Sequence, residues 1–165
     1  MLSKKLLINS ISFKMTSTEI ALLLNNDSEK IIRIGEIIGK KIEKRDCFEK
    51  LNEFEKTFIY IDIFENHTTD GGFKAFFWDS SGKFSHEILE AYERIGAHKT
   101  ALIIYDAFLL FKEIPIPKDL DLRRSILSNF KSDVWNTLDQ EFYDCSDNVV
   151  LLILEFVRGN NSYFN

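Results

Sequence analysis

The chain has 165 residues, of which 45% are hydrophobic and 28% charged, a composition typical of one globular domain with a substantial core. Only seven glycines and two prolines are present, which disfavours a turn-rich all-β sandwich and favours long helices. The net charge is −5, and residues 65–165 carry 10 basic and 16 acidic groups, an excess that argues against direct binding of nucleic acid because phosphates would be repelled.

Apolar residues recur every three or four positions along most of the chain. This spacing predicts an all-α fold, a single compact domain (1–165) of about seven to nine helices. Residues 1–26 are the least regular part, since Leu6–Phe13 fits the start of either a strand or a helix. The predicted helices cover residues 18–24, 27–44, 47–64, 73–77, 84–95, 98–111, 120–130, 133–143 and 149–157.

Polar and glycine residues indicate where these helices end. Residues 65–69 are polar and predict a loop before Gly71, and Gly96 is well placed to end the helix over 84–95. The expected N-caps are Asp27 or Ser28 for the helix over 27–44, Ser132 or Asp133 for 133–143, and Ser146 or Asp147 for 149–157.

Two segments are especially apolar. Residues 98–111 are apolar nearly all round, which predicts a central helix that is buried on most sides. Residues 149–157 are rich in Val, Leu and Ile and would also fit a strand. Helix is favoured there, because no other segment offers an equally strong strand partner and a lone strand cannot satisfy its backbone.

The most unusual stretch is residues 70–82, Asp-Gly-Gly-Phe-Lys-Ala-Phe-Phe-Trp-Asp-Ser-Ser-Gly. Its spacing puts three phenylalanine rings on one face of a short helix. The paired glycines permit backbone conformations and close approaches that other residues avoid. Such a stretch fits either a ligand loop or an internal packing element, and the second is favoured. The predicted structural residues are Gly71, Gly72, Phe73, Phe76, Phe77, Ser80, Ser81, Gly82 and, in a later helix, Trp135.

No catalytic or metal motif stands out in the sequence. His67, His86 and His98 lack the spacing of metal ligands. Ser80 and Ser81 lack a nucleophile elbow and a nearby base in the sequence, so we expect them to cap a helix start.

The cysteines and the apolar runs bear on location. Cys47 and Cys145 have no metal or redox spacing and fit a reduced pair. The longest apolar run, 149–154, is too short to span a bilayer. Together these features predict a cytoplasmic protein without a metal or other cofactor.

The acidic residues carry the functional hypothesis. Residues 132–157 contain six acids and no Lys, Arg or His. Such a region is either a solvated face or a surface that imitates the charge of nucleic acid toward a basic partner. One helical row presents a charge about every 5 Å and a DNA strand about every 3.4 Å, so mimicry needs several rows or two subunits side by side. The predicted partner-binding residues are Asp133, Asp139, Glu141, Asp144, Asp147, Glu87, Glu90 and Glu93.

A family resemblance rests on three groups of residues in a fixed order. They are Asp70-Gly71-Gly72-Phe73 with Phe76-Phe77 and Asp79-Ser80-Ser81-Gly82; His86, Ala91 and Ile95-Gly96-Ala97, then Pro117-x-Asp119 with Arg123 or Arg124; and Trp135-x-x-Leu138-Asp139-x-x-Phe142-Tyr143. Over about residues 57–158 the chain resembles a bacterial family typified by a 19 kDa DNA-mimic protein, whose C-terminal domain is otherwise of unknown function. Residues 1–56 would then be variable N-terminal helices.

The resemblance implies an all-helical fold. For the characterised type it also implies an acidic surface that occupies the DNA-binding face of a transcription factor. Asp70 and Asp79 stand where the family has asparagine, which adds charge to the motif but preserves its shape. From the motif chemistry we expect Asp139 to accept hydrogen bonds from backbone N–H groups near Gly71-Gly72 or Ser80-Ser81.

The leading hypothesis is a non-enzymatic acidic protein that sequesters a basic, DNA-binding protein. A homodimer is compatible with this hypothesis. Its binding would be salt-sensitive and weakened by removing the charges of Asp144 and Asp147. One alternative is an inhibitor or immunity-type protein that covers the active site of a bacterial toxin, and another is a helical protein without mimicry. An enzyme would need a deep polar cleft beside Trp78 and His86.

Overall fold

Helices make up nearly all the regular structure of the chain. The computed structural model describes residues 15–45, 48–111, 114–131 and 133–164, and within them there are eight α-helices and no strand. This confirms the predicted all-α fold, a single compact helical domain. The α-helices are α1 (Ser17–Leu22), α2 (Asp27–Arg45), α3 (Glu53–Trp78), α4 (Ser85–Arg94), α5 (His98–Leu109), α6 (Leu120–Leu127), α7 (Asn136–Tyr143) and α8 (Val149–Gly159). Short 3-10 helices lie at Phe48–Lys50, Ser80–Phe84 and Asn161–Tyr163.

The longest helix, α3, is the centre of the domain and packs against α2, α4, α6 and α7. It begins at Glu53 because the Asn52 side chain accepts hydrogen bonds from the N–H groups of Phe54 and Glu55. The predicted start at Cys47 lies outside the described residues. Between Cys47 and Asn52 the chain forms a separate 3-10 turn.

The predicted loop over residues 65–69 is wrong, because α3 continues through them. The hydroxyl groups of Thr68 and Thr69 donate to the carbonyls of Phe64 and Glu65, four residues earlier. These polar side chains are therefore satisfied within the helix and do not end it. The interruption comes later, at Gly72, whose φ of 69° and ψ of −171° kink the helix.

The expected N-caps are replaced by their neighbours. Asn26 caps α2 through the N–H of Glu29, and Asn148 caps α8 through the N–H of Leu151. No side chain caps α7, and Ser132 lies outside the described residues. Asp147 caps a different helix, α5, from a distant part of the chain.

Two other predictions are confirmed. Residues 149–157 are helical and belong to α8. Gly96 ends α4 with a φ of 83°, while its own N–H donates to Glu93 and that of Ala97 donates to Tyr92. This pair of bonds is a Schellman motif, in which glycine takes the left-handed position without strain.

The core is built largely from aromatic rings, and every one of the eight helices contributes to it. Phe64 makes edge-on contacts with Phe73, Phe76, Tyr92 and Phe142, which join α3 to α4 and α7. These edge-to-face geometries suit the ring quadrupole and add to the apolar area that is buried.

Helix α5 is less buried than its composition predicts. Thr100, Ala101, Ile104, Ala107 and Phe108 face the core. Its opposite face is exposed, because α4 and α7 pack against α5 and leave one side open to solvent. The apolar residues on this open side are Leu102, Tyr105 and Leu109, which are 64%, 44% and 55% exposed.

Candidate functional site

The kink in α3 is held by α7. The N–H of Phe73, just after the kink, donates a hydrogen bond of 2.8 Å to Asp139 Oδ1. The hydroxyl of Tyr143 donates to the carbonyl of Thr68, just before the kink, at 2.7 Å. A kink leaves backbone groups without helical partners, and α7 satisfies one on each side of Gly72. We call these five residues the clasp.

The clasp explains why residue 72 is glycine. A Cβ built on Gly72 would lie 2.5 Å from both carboxylate oxygens of Asp139, and the positive φ at Gly72 disfavours any side chain. Burial raises the pKa of Asp139, while the hydrogen bond from Phe73 opposes that rise. The expectation that Asp139 bonds the backbone near Gly71-Gly72 is confirmed.

The expectation that Ser80 and Ser81 cap a helix start is wrong, because Asp79 is the cap and both serines donate to its carboxylate. Asp79 Oδ1 accepts from the Ser81 N–H at 3.0 Å and from the Ser80 and Ser81 hydroxyls. The backbone bond from Ser81 is the main cause that lowers the pKa of Asp79. Asp79 thus lies at the end of α3 and caps the 3-10 turn that follows. Asp139 has the same capping role at the kink, where it accepts the N–H of Phe73.

Sequence reasoning missed a histidine next to this serine. His67 Nε2 lies 2.9 Å from Ser81 Oγ and 3.8 Å from Asp79 Oδ1. In a hydrolase triad the carboxylate binds the far ring nitrogen and the serine gives its proton to the near one. Here the carboxylate lies on the serine side of the ring, 3.0 Å from Ser81 Oγ and 3.8 Å from His67 Nε2, so it does not orient the ring from the far nitrogen. This geometry fits a reinforced cap and lacks the relay that activates serine.

A buried arginine completes the packing around this turn. Arg123 donates to three backbone carbonyl oxygens: from Nε to Phe77 at 2.6 Å, from Nη2 to Asp79 at 2.6 Å and from Nη1 to Pro117 at 2.8 Å. Its side chain also passes over Gly82, where a Cβ would lie 2.7 Å from Nε. Gly82 is therefore required for close approach. Only the position of Arg123 after Pro117-x-Asp119 hinted at this role.

The remaining histidines have no metal-binding geometry. His86 Nε2 accepts from the Ile116 N–H at 2.9 Å and its ring packs on Phe108. His98 is exposed at the start of α5. In residues 15–45, 48–111, 114–131 and 133–164 no group of three or more metal-ligating side chains is found. Within these same ranges no helix is both long and apolar enough to cross a membrane.

A carboxyl–phenol pair connects α3 and α4. The hydroxyl of Tyr92 donates to Glu65 Oε1 at 2.5 Å. Burial is the main cause that raises the pKa of both groups. This hydrogen bond links α3 to α4 at the edge of the core, since Tyr92 is buried and Glu65 is partly buried.

The predicted acidic residues separate into several places. Glu87 and Glu90 line a groove of about 190 Å³ between α3 and α4, together with Lys56 and Arg94. Glu87 also pairs with Lys118, its Oε1 lying 2.6 Å from Nζ. Tyr60 lies in the same groove. Burial, and then the negative charges of Glu87, Glu49 and Glu90, raise its pKa to about 12. Glu93 is exposed on α4 and does not line this groove.

The acids of the C-terminal region have different roles. Glu141 and Asp144 are exposed and line a second groove, of about 750 Å³, between α5 and α7. Asp133 is exposed in the turn before α7. Asp139 belongs to the clasp, and Asp147 Oδ2 accepts from the N–H groups at the start of α5, at 2.9 and 3.0 Å. Of the five predicted partner-binding acids in this region, Asp139 and Asp147 are thus engaged by backbone N–H groups.

Comparison with known families adds a decisive observation. Residues 49–160 match the family model described as DMP19-like protein, which is more than half of the chain. The chain belongs to the DMP19-like family. No curated protein and no solved structure matches the chain.

The DMP19-like family is a family of DNA-mimic proteins, in general without enzymatic activity. The matched region holds the clasp, the Asp79 cap, Arg123 and both grooves, while α1 and α2 lie outside it. The residues that carried the resemblance in the sequence are mostly packing and turn residues. They account for a shared fold, and the surface around them decides what is bound.

Proposed function

We propose that this protein binds a basic, DNA-binding protein and blocks its DNA-binding surface, without catalysing a reaction. Membership of the DMP19-like family is the observation that carries this proposal. The exposed carboxylates of α7 support it, because among the described residues neither Glu141 nor Asp144 forms an ion pair. Their negative charge is available to a partner.

The carboxylates of α4 are secondary in this proposal. Glu87 is bound to Lys118, and Glu90 shares its groove with Arg94 and Lys56. Neighbouring cations reduce the field that these acids present to a partner. The principal contacts are therefore Glu141 and Asp144, with Glu90, Glu93 and Asp133 at the margin.

The test is affinity purification from the native host, using the immobilised protein at about 50 mM and about 0.5 M salt, since screening weakens contacts between exposed charges. We expect a DNA-binding protein to be retained at low salt and released at high salt. Added protein should then displace DNA from that partner. Recovery of a toxin enzyme whose activity is blocked would favour the inhibitor hypothesis instead.

Charge variants sharpen this experiment. Glu141→Gln with Asp144→Asn should lower the recovery, because it removes two exposed charges without touching the core. The matched control, Glu29→Gln with Glu155→Gln, removes the same charge at two exposed positions that do not line the groove between α5 and α7. Asp147 is unsuitable for this test since its loss would uncap α5. Equal loss in both double variants would show an effect of net charge alone and count against the proposal.

A further inference from the structure

An uncovered apolar stripe runs along α5. Leu102, Tyr105 and Leu109 are 64%, 44% and 55% exposed, although the other face of the helix is buried in the core. With about 100° of rotation per residue, these three and Asp106 fall within an arc of about 100°. Single exposed apolar residues are common on protein surfaces, whereas a continuous stripe is typical of a binding face.

The stripe borders the groove of about 750 Å³ between α5 and α7. Leu102 and Ile103 give the groove its apolar lining from α5, and Glu141 and Asp144 line it from α7. Lys99 lies at the end near Ser146, to whose hydroxyl its ammonium donates at 2.7 Å. Helix α5 has 12 residues and is about 18 Å long, which matches about three turns of a partner helix.

Charge distinguishes between possible occupants. Three carboxylates (Asp106, Glu141 and Asp144) lie along the stripe and the groove, against one described cation, Lys99. In a two-fold dimer each surface meets its own copy, so a second chain on this face would bring like carboxylates together. A helix with one apolar face and Lys or Arg on its flanks would instead bury the leucines and meet the carboxylates with opposite charge.

We propose that the groove between α5 and α7 binds a basic amphipathic helix of a protein partner. Leu102 in the groove and Leu109 farther along the stripe provide the apolar contact, and Glu141 and Asp144 select the basic flank. The inference rests on the proposed function only for the source of the helix, which would belong to the sequestered DNA-binding protein. It adds that binding depends on apolar contact as well as on charge.

The experiment uses the full chain and a labelled helical peptide of about 18 residues, long enough to form a helix, with Leu at i, i+3, i+4 and i+7 and Lys elsewhere. Peptides with scrambled leucines, or with Glu in place of Lys, are the controls. We expect the first peptide alone to bind, by fluorescence anisotropy, with an NMR footprint on α5 and α7. Leu102→Gln with Leu109→Gln should weaken binding about tenfold or more.

Two further variants separate charge from apolar contact. Glu141→Gln with Asp144→Asn should weaken binding about fivefold at low salt and less at high salt. Ile32→Gln, which removes a residue of α2 that is 62% exposed, should leave binding unchanged.

Several outcomes would overturn the inference. These are no binding of the Lys peptide, equal binding of the scrambled peptide, no effect of the leucine changes, or a footprint away from α5 and α7. Self-association of the chain that the leucine changes abolish would show a second copy on this face. If the carboxylate changes abolish binding of a native DNA-binding partner but the leucine changes do not, the inference about the groove is wrong and the proposed function stands. If the peptide binds in the groove but no DNA-binding partner is recovered, the inference about the groove stands and the proposed function is wrong.

Discussion

Asp139 of α7 accepts the hydrogen bond that the backbone of Phe73 cannot make within its own helix. The two residues are 66 positions apart in sequence, and their bond is 2.8 Å long. Because Gly72 kinks α3 at this point, the part of the helix after the kink begins with N–H groups that have no partner within the helix. The carboxylate of Asp139 acts as the N-cap of that second half.

Asp139→Ala should lower the free energy of unfolding by about 1–3 kcal/mol, because it leaves the Phe73 N–H without a partner. Asp139→Asn retains an acceptor oxygen and should cost less. Urea unfolding at pH 7 measures both. Asp133→Ala, at an exposed position in the preceding turn, is the control and should change stability by less than about 0.5 kcal/mol. Equal stability of wild type and Asp139→Ala would contradict the capping role.

Gly72→Ala should destabilise the protein by about 2 kcal/mol or more, since its φ is 69° and a Cβ would clash with Asp139. Gly39→Ala is the contrasting change within α2, where a Cβ meets nothing within 4 Å. It should raise stability by about 0.5–1 kcal/mol through helix propensity. Thermal unfolding of both variants gives the comparison, and a neutral Gly72→Ala would show that the kink is not required.

Arg123→Met and Arg123→Lys should each lower stability by about 2–4 kcal/mol. Neither replacement can bond the carbonyls of Phe77, Asp79 and Pro117 together, as the planar guanidinium does. Arg124→Met, which changes a less buried neighbour, should cost under about 1 kcal/mol. Urea denaturation separates these cases. Full stability of Arg123→Lys would mean that charge alone, without the fork geometry, holds the turn.

Stability should fall as the pH rises above about 10, because the pKa of buried Tyr92 is raised well above that value beside Glu65. Below pH 10 the hydroxyl is protonated in both states and its contribution is complete. Above it the unfolded chain loses the proton first, so stability is lost until the pKa of the folded state is reached. Tyr92→Phe should show a shallower decline between pH 9 and 11 in urea unfolding, whereas exposed Tyr105→Phe should retain the wild-type slope.

Local patterns predicted the elements well where the chain satisfies itself nearby. The apolar spacing identified the helices, and the turn at Gly96 closes α4, with the Gly96 N–H bonded to Glu93 and the Ala97 N–H bonded to Tyr92. Local patterns gave a wrong prediction where the hydrogen-bond acceptor of a polar side chain decides whether a helix continues. Residues 65–69 look like a loop because they are polar, yet Thr68 is buried in α3 with its hydroxyl bonded inside the helix.

The sequence by itself determined the helical class and the family, because the apolar period and the order of the motifs are properties of the chain alone. Only the tertiary structure decided which carboxylates are free. Asp147 and Glu141 belong to one acidic set in the sequence, but Asp147 is engaged by N–H groups at the start of α5, whereas Glu141 is exposed. Packing alone sets that difference, since a carboxylate binds whatever donor the fold brings beside it.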